Sequence, residues 1–132
     1  MSPKTPRARG LSGYTVEQQT HCGKIYVTVN YEPATKAILE VFIRFGMAGG
    51  CGSAMADGIA KLISYGLRCG MEPTYAIKAL AGIRCHHGAN TCLHNIANAI
   101  KCVMKTLETG KDINDTIEDL AKEEASRENC SV

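Results

Sequence analysis

The chain contains no tryptophan and only two phenylalanines and five tyrosines in 132 residues. A core without large aromatics must be built from Ile, Leu, Val, Ala and Met, each of which buries less surface than an aromatic ring. Such a core is light for a domain of this length, so self-association that buries more surface is expected, and a homo-oligomer with it. No apolar run approaches the roughly 18 residues that a membrane-spanning helix needs, so no membrane partner is expected. The first twenty residues carry no apolar block of the secretion-signal kind, and a cytoplasmic location is expected. Charge of one sign is also missing: 15 basic side chains against 13 acidic ones leave +2, too balanced for nucleic acid to be the expected partner. There is no Cys-x-x-Cys pair, no Walker pattern and no dinucleotide-binding fingerprint.

What is present divides into a tail, a strand region and a helix region. Residues 1–13 hold Pro3, Pro6, Gly10 and Gly13 with Lys4, Arg7 and Arg9, and read as a flexible basic tail. From Tyr14 the apolar period is two. Tyr14 and Val16 open a first strand, Ile25, Val27, Val29 and Tyr31 share one face of a second, and Leu39, Val41, Ile43 and Phe45 share one face of a third spanning Ala37 to Phe45. Short links predict an antiparallel meander. Helices would cover one face only, the other carrying Lys24, Glu40 and Arg44 to solvent.

After Phe45 the period becomes 3.6. Ile59, Leu62, Ile63, Gly66 and Leu67 form the stripe of a first helix with Ser53 as its cap and Gly70 as its stop. Pro73 opens a short second helix that Gly82 ends, and Thr91 caps a third whose stripe is Leu93, Ile96, Ala97, Ile100, Met104 and Leu107. On that spacing Cys102 falls off the stripe. Asp115-Thr-Ile-Glu118 has capping-box spacing and predicts a fourth helix. The expected architecture is α+β: a three-stranded antiparallel sheet covered on one face by three to four helices, with residues 14–110 as the domain and 111–132 as a C-terminal helix and tail.

Three groups of residues point to chemistry. Seven cysteines without an export signal suit reduced thiols or a metal better than disulfides. Cys22, Cys51, Cys85 and Cys92 each stand in a loop or at a junction beside a glycine or a helix start, and zinc takes four such soft ligands tetrahedrally; His86, His87 and His94 are substitutes. Ordinary buried thiols explain the same cysteines. Second, Gly49, Gly50, Gly52 and Ser53 stand where a strand gives way to a helix N-terminus, a place suited to phosphate or carboxylate; a tight turn explains the glycines as well. Arg84, His86, His87 and Thr91 would complete that pocket, with Arg44 and Arg68 as further cations. Third, Cys85 with His86, or Cys92 with His94, could pair for thiol chemistry, since a helix start favours a thiolate. No catalytic constellation is recognisable, and catalysis is the least supported use of these residues.

The order of features resembles a known family. Strands ending in a Gly-Gly-Cys loop, the helix Ile59-Ala-Lys-Leu-Ile-Ser-Tyr-Gly-Leu-Arg68, a Pro-started helix ending Leu80-Ala-Gly-Ile-Arg84 and a Cys-bearing helix start are similar to the TSCPD domain, over roughly His21 to Val103. The signature Thr-Ser-Cys-Pro-Asp falls on Asn90, Thr91, Cys92, Leu93 and His94, keeping the Cys and a small hydroxyl residue and losing the Pro and the Asp. That domain occurs near the C-terminal end of adenosylcobalamin-dependent ribonucleotide reductases and as small stand-alone bacterial and phage proteins. The resemblance implies a non-catalytic module, because the reductase barrel with its radical-generating thiol is far larger than this chain. The shared basic and glycine character of the two loops points to a nucleotide-like or phosphate-bearing ligand, and the resemblance adds a reductase-type enzyme assisted in trans as the other expected partner. Sequestration of a nucleotide messenger by a phage or bacterial sponge is an alternative, which would place a phage-encoded copy in its host's cytoplasm, and a small thiol-dependent enzyme is another.

Overall fold

The computed structural model describes residues 3–20, 23–46, 50–83 and 91–130, and for 50–52 and 127–130 the backbone alone. Three strands, β1 (Ser12–Thr20), β2 (Gly23–Tyr31) and β3 (Ile38–Phe45), form an antiparallel sheet in the order β1-β2-β3. Four helices follow: α1 (Gly50–Arg68), α2 (Pro73–Leu80), α3 (Cys92–Thr109) and α4 (Ile113–Cys130). The α+β class and the meander agree with the sequence periods.

The alternation of β2 puts Ile25, Val27 and Val29 wholly inside, with Val16 of β1 and Val41 of β3 in the same layer. Tyr14 and Tyr31 stack at 6.1 Å between ring centres and close one end of this layer. Against it lies α3, whose Ile96, Ala99, Ile100 and Val103 are at most 1% exposed. Thr91 caps α3, accepting a hydrogen bond from the His94 N–H at 3.1 Å, and Gly110 ends it in the left-handed region at φ 75°. Both agree with the expected caps.

Four helix readings change in the structure, two in the buried side and two in the start of a helix. Because α2 and α4 both pack on α3, that helix is enclosed well beyond one stripe, and Cys102, expected off the stripe, is only 2% exposed. Leu62, expected in the stripe of α1, is 73% exposed, and the buried side of that helix is Ala56, Ala60, Ile63, Ser64 and Leu67. The reason is that α1 lies along β3: the Ser64 hydroxyl accepts from the Val41 N–H at 2.9 Å and donates to the Val41 carbonyl at 3.1 Å, turning that side of the helix inward. α1 begins at Gly50, which puts Ser53 inside its first turn rather than at the cap. Likewise α4 begins before the Asp115 box, and Asp112 caps it by accepting from the Asn114 N–H at 3.0 Å.

The outer sheet face is not uniformly open. Glu40, expected at the surface, is 3% exposed. Arg7 covers it with a forked pair, Nε to Oε1 at 2.6 Å and NH2 to Oε2 at 3.1 Å, and Asn30 donates to Oε2 at 2.9 Å. Asn30 reaches across the strand position of Gly13, where a Cβ would stand 1.9 Å from its Oδ1, so only glycine fits there. The N-terminal segment is attached twice more, by the Thr5 N–H to the Arg68 carbonyl at 2.9 Å and by Lys4 over the Tyr65 ring at 4.1 Å.

Candidate functional site

The sequence placed its chemistry in two loops, and most of those residues fall outside the described ones. Cys22, Gly49, Arg84, Cys85, His86 and His87 lie outside them, and Gly50, Cys51 and Gly52 are described as the backbone of the first turn of α1. Ser53, Thr91 and Cys92 are described in full.

The flanks of the two loops come together. Cys92, Leu93 and Ile96 at the start of α3 and Met55, Ala56 and Ile59 at the start of α1 border one apolar groove floored by Ile25, Ile43 and Phe45. The Cys92 thiol is 3.7 Å from the Thr20 hydroxyl, which itself donates to the Gly23 carbonyl at 2.7 Å, so the thiol is the donor of the pair. Thr20 is two residues before Cys22 in the chain. Among the described residues no group of three or more His, Cys, Asp or Glu side chains is arranged to hold a metal ion.

His94, the position where the signature has Asp, is a hydrogen-bonding hub. Its Nδ1 accepts from the Gly82 N–H at 2.9 Å, so the neutral ring carries its proton on Nε2, which faces a Glu124 carboxylate oxygen. The other oxygen of Glu124 accepts from Asn98 at 3.2 Å. Both ring nitrogens are thereby committed, and His94 serves neither as a base for Cys92 nor as a spare metal ligand in this arrangement. Glu124 was invisible to a motif search, because it lies 30 residues away on α4 with no signal beyond its place on that helix's inner side.

On the opposite side of β3 the outer sheet face forms an open trough of about 880 Å³, within the size range of small-ligand sites. Thr15, Tyr26, Thr28, Phe42 and Arg44 line its floor, and Gly46, Ser53 and Asp57 its wall toward α1. Phe42 is 54% exposed, directly opposite Thr28, while Arg44 stands opposite Tyr26. Thr15 and Thr28 share a hydrogen bond at 2.8 Å. Asp57 is paired with Lys61 at 2.9 Å and Glu17 with Lys24 at 3.1 Å, so among the described residues Arg44 has no acidic partner. The sequence signal for this trough was an aromatic ring at Phe42, on the polar phase of an alternating strand.

A small antiparallel sheet backed by a central helix, with loop-flanked helix starts at one end, defines a compact α+β module with two neighbouring concavities. The model of the TSCPD domain family matches residues 1–104, and the chain belongs to that family. The match takes in the N-terminal segment and β1 as well as the motif region, stops within α3, and leaves α4 outside. No curated protein and no solved structure matches the chain. No helix among the described residues is long and apolar enough to cross a membrane.

Proposed function

We propose that this chain is a non-catalytic binding module that takes a nucleotide-like or phosphate-bearing ligand in the trough on its outer sheet face. The supporting observation is the conjunction of an exposed ring, Phe42, with Arg44, which has no acidic partner among the described residues, and a wall that reaches the first turn of α1 at Ser53. An aromatic face suits a base, an arginine fork suits a phosphate, and a helix start adds N–H groups for the same anion. The sequence proposes Gly49, Gly50, Gly52, Ser53, Arg84, His86, His87 and Thr91 as contacts of such a ligand at the two loops; of these Ser53 lines the trough, whereas Thr91 is buried with its hydroxyl donating to the Ile83 carbonyl at 2.7 Å and does not. Calorimetry with linear and cyclic nucleotides and with inorganic phosphate tests the reading. Binding weakened about fivefold or more by Arg44→Ala and by Phe42→Ala supports it, since each contact is worth roughly 1 kcal/mol or more. No heat at millimolar ligand refutes it. Ligand recovered chemically intact after denaturation favours sequestration over turnover.

Membership of the TSCPD family supports a second reading, assistance to a ribonucleotide reductase-type enzyme. Its mark is co-purification with a large enzyme partner. A structural zinc at Cys22, Cys51, Cys85 and Cys92 is compatible with either. Its support is that Cys92 stands beside Thr20, close in the chain to Cys22, while Cys51 opens the helix whose Met55 borders the same groove. Metal analysis tests it: stoichiometric zinc that is lost in Cys92→Ser supports the site, and metal-free protein at full stability excludes it.

A further inference from the structure

The two edges of the sheet are treated differently. On β3, Ser64 of α1 takes up both backbone groups of Val41. In an antiparallel ladder the N–H and C=O of one residue point the same way, and that direction alternates along the strand. Val41 therefore points away from β2, and Val29 opposite it points toward β1. Its partner Tyr14 points back, as do Val16 and Gln18, which leaves Gly13, Thr15 and Glu17 with N–H and C=O directed out of the sheet. Among the described residues no backbone or side-chain group accepts or donates at those positions.

Exposed edge strands in monomeric proteins are normally shortened, bulged, or carry Lys or Pro that obstruct pairing. β1 has none of these devices. It runs nine residues, pairs with β2 without a bulge, and holds no Lys or Pro. Its single charge, Glu17, is neutralised by Lys24 of its own chain. We infer that β1 is a self-pairing interface: two copies join antiparallel through their β1 edges about a two-fold axis, making one continuous six-stranded sheet.

A second copy fits this edge because it supplies the complementary one. Each chain has an open edge of identical sequence, and antiparallel pairing closes both at once, leaving as outer edges only the two β3 strands, along which α1 lies. A two-fold axis at Thr15 or Val16 keeps the two Glu17 side chains apart, whereas an axis at Glu17 sets carboxylates face to face and is disfavoured. The shared layer under the joined strands would also extend a core poor in aromatic residues.

The test uses the full chain in two measurements. Sedimentation should give twice the 14.2 kDa subunit mass at high concentration. Amide exchange by NMR should show the Gly13, Thr15 and Glu17 amides slowing about tenfold or more from low micromolar to millimolar protein, while the Val27 and Val29 amides hold steady. Thr15→Pro removes an outward N–H that β2 does not use and should weaken the dimer about tenfold or more with β2 protection retained. A monomer at every concentration overturns the inference, as does a dimer in which those three amides exchange at open-edge rates. The wild-type exchange measurement decides the matter even if Thr15→Pro fails to fold.

Discussion

Ser64→Ala is the sharpest probe of how this sheet is finished. Ser64 is 8% exposed and Val41 1%, so water does not reach the two backbone groups of Val41 that the hydroxyl serves. Deleting the oxygen orphans a buried donor and a buried acceptor together. Each orphan costs roughly 1–3 kcal/mol, and alanine returns about 0.5 kcal/mol of helix propensity, so the net loss should be about 1.5–5.5 kcal/mol. At about 4 °C per kcal/mol for a chain of this size, that lowers the melting temperature by about 6–22 °C. Urea unfolding gives the free energy, and hydrogen exchange gives the location, since the Val41 amide should lose protection before its neighbours in β2. A loss below about 0.5 kcal/mol with the Val41 amide still protected would refute the assignment of α1 as the closure of that edge.

Three further outcomes follow from buried polar groups. Burial pushes the Glu40 carboxyl up, but hydrogen bonds from Arg7 and Asn30 and the charges of Arg7 and Arg68 outweigh it and hold it below the ordinary 4.5. Its stabilising contribution is therefore complete above pH 4.5 and is lost as pH falls through the lower folded value, so the stability gap between wild type and Glu40→Gln should shrink on acidification. An urea-midpoint difference that is flat with pH would contradict this. Burial pushes the Cys102 thiol up to about 11, with Glu124 adding to the shift and Lys101 opposing it. At mildly alkaline pH, Cys102 should resist a thiol reagent until the chain unfolds while the half-buried Cys69 reacts in the native state, as peptide mapping would report. His94→Asn can keep an acceptor for the Gly82 N–H but not the reach to Glu124, whereas His94→Ala loses both. Losses of about 1 and about 2 kcal/mol are expected, with α4 exchange hastened in both variants and the Gly82 amide only in the alanine one.

The readings that held were those carried by neighbours in the chain. Val27 and Val29 alternate with Tyr26 and Thr28, Thr91 stands three residues before the N–H it caps, and Gly110 sits where a helix must leave the right-handed region; each is a local steric or hydrogen-bonding fact. The readings that shifted depended on what packs against a helix. A stripe predicts which side of an isolated helix is apolar, but Leu62 was left outside and Cys102 drawn inside once α1 took the edge of β3 and α4 the flank of α3.

By itself, the sequence determined the three strands, the four helices, most of their caps and, through motif order, the family. Tertiary structure alone decided the pairs that join distant segments: Arg7 with Glu40 across 33 residues, Ser64 with Val41 across 23 and His94 with Glu124 across 30. No periodicity links such partners, because each pair is set by how elements dock and not by the spacing within any one of them. The trough arises the same way. Phe42 and Arg44 are adjacent on one strand face by alternation, but only the sheet register brings Tyr26, Thr28 and Thr15 beside them, and only the docking of α1 gives that face a wall.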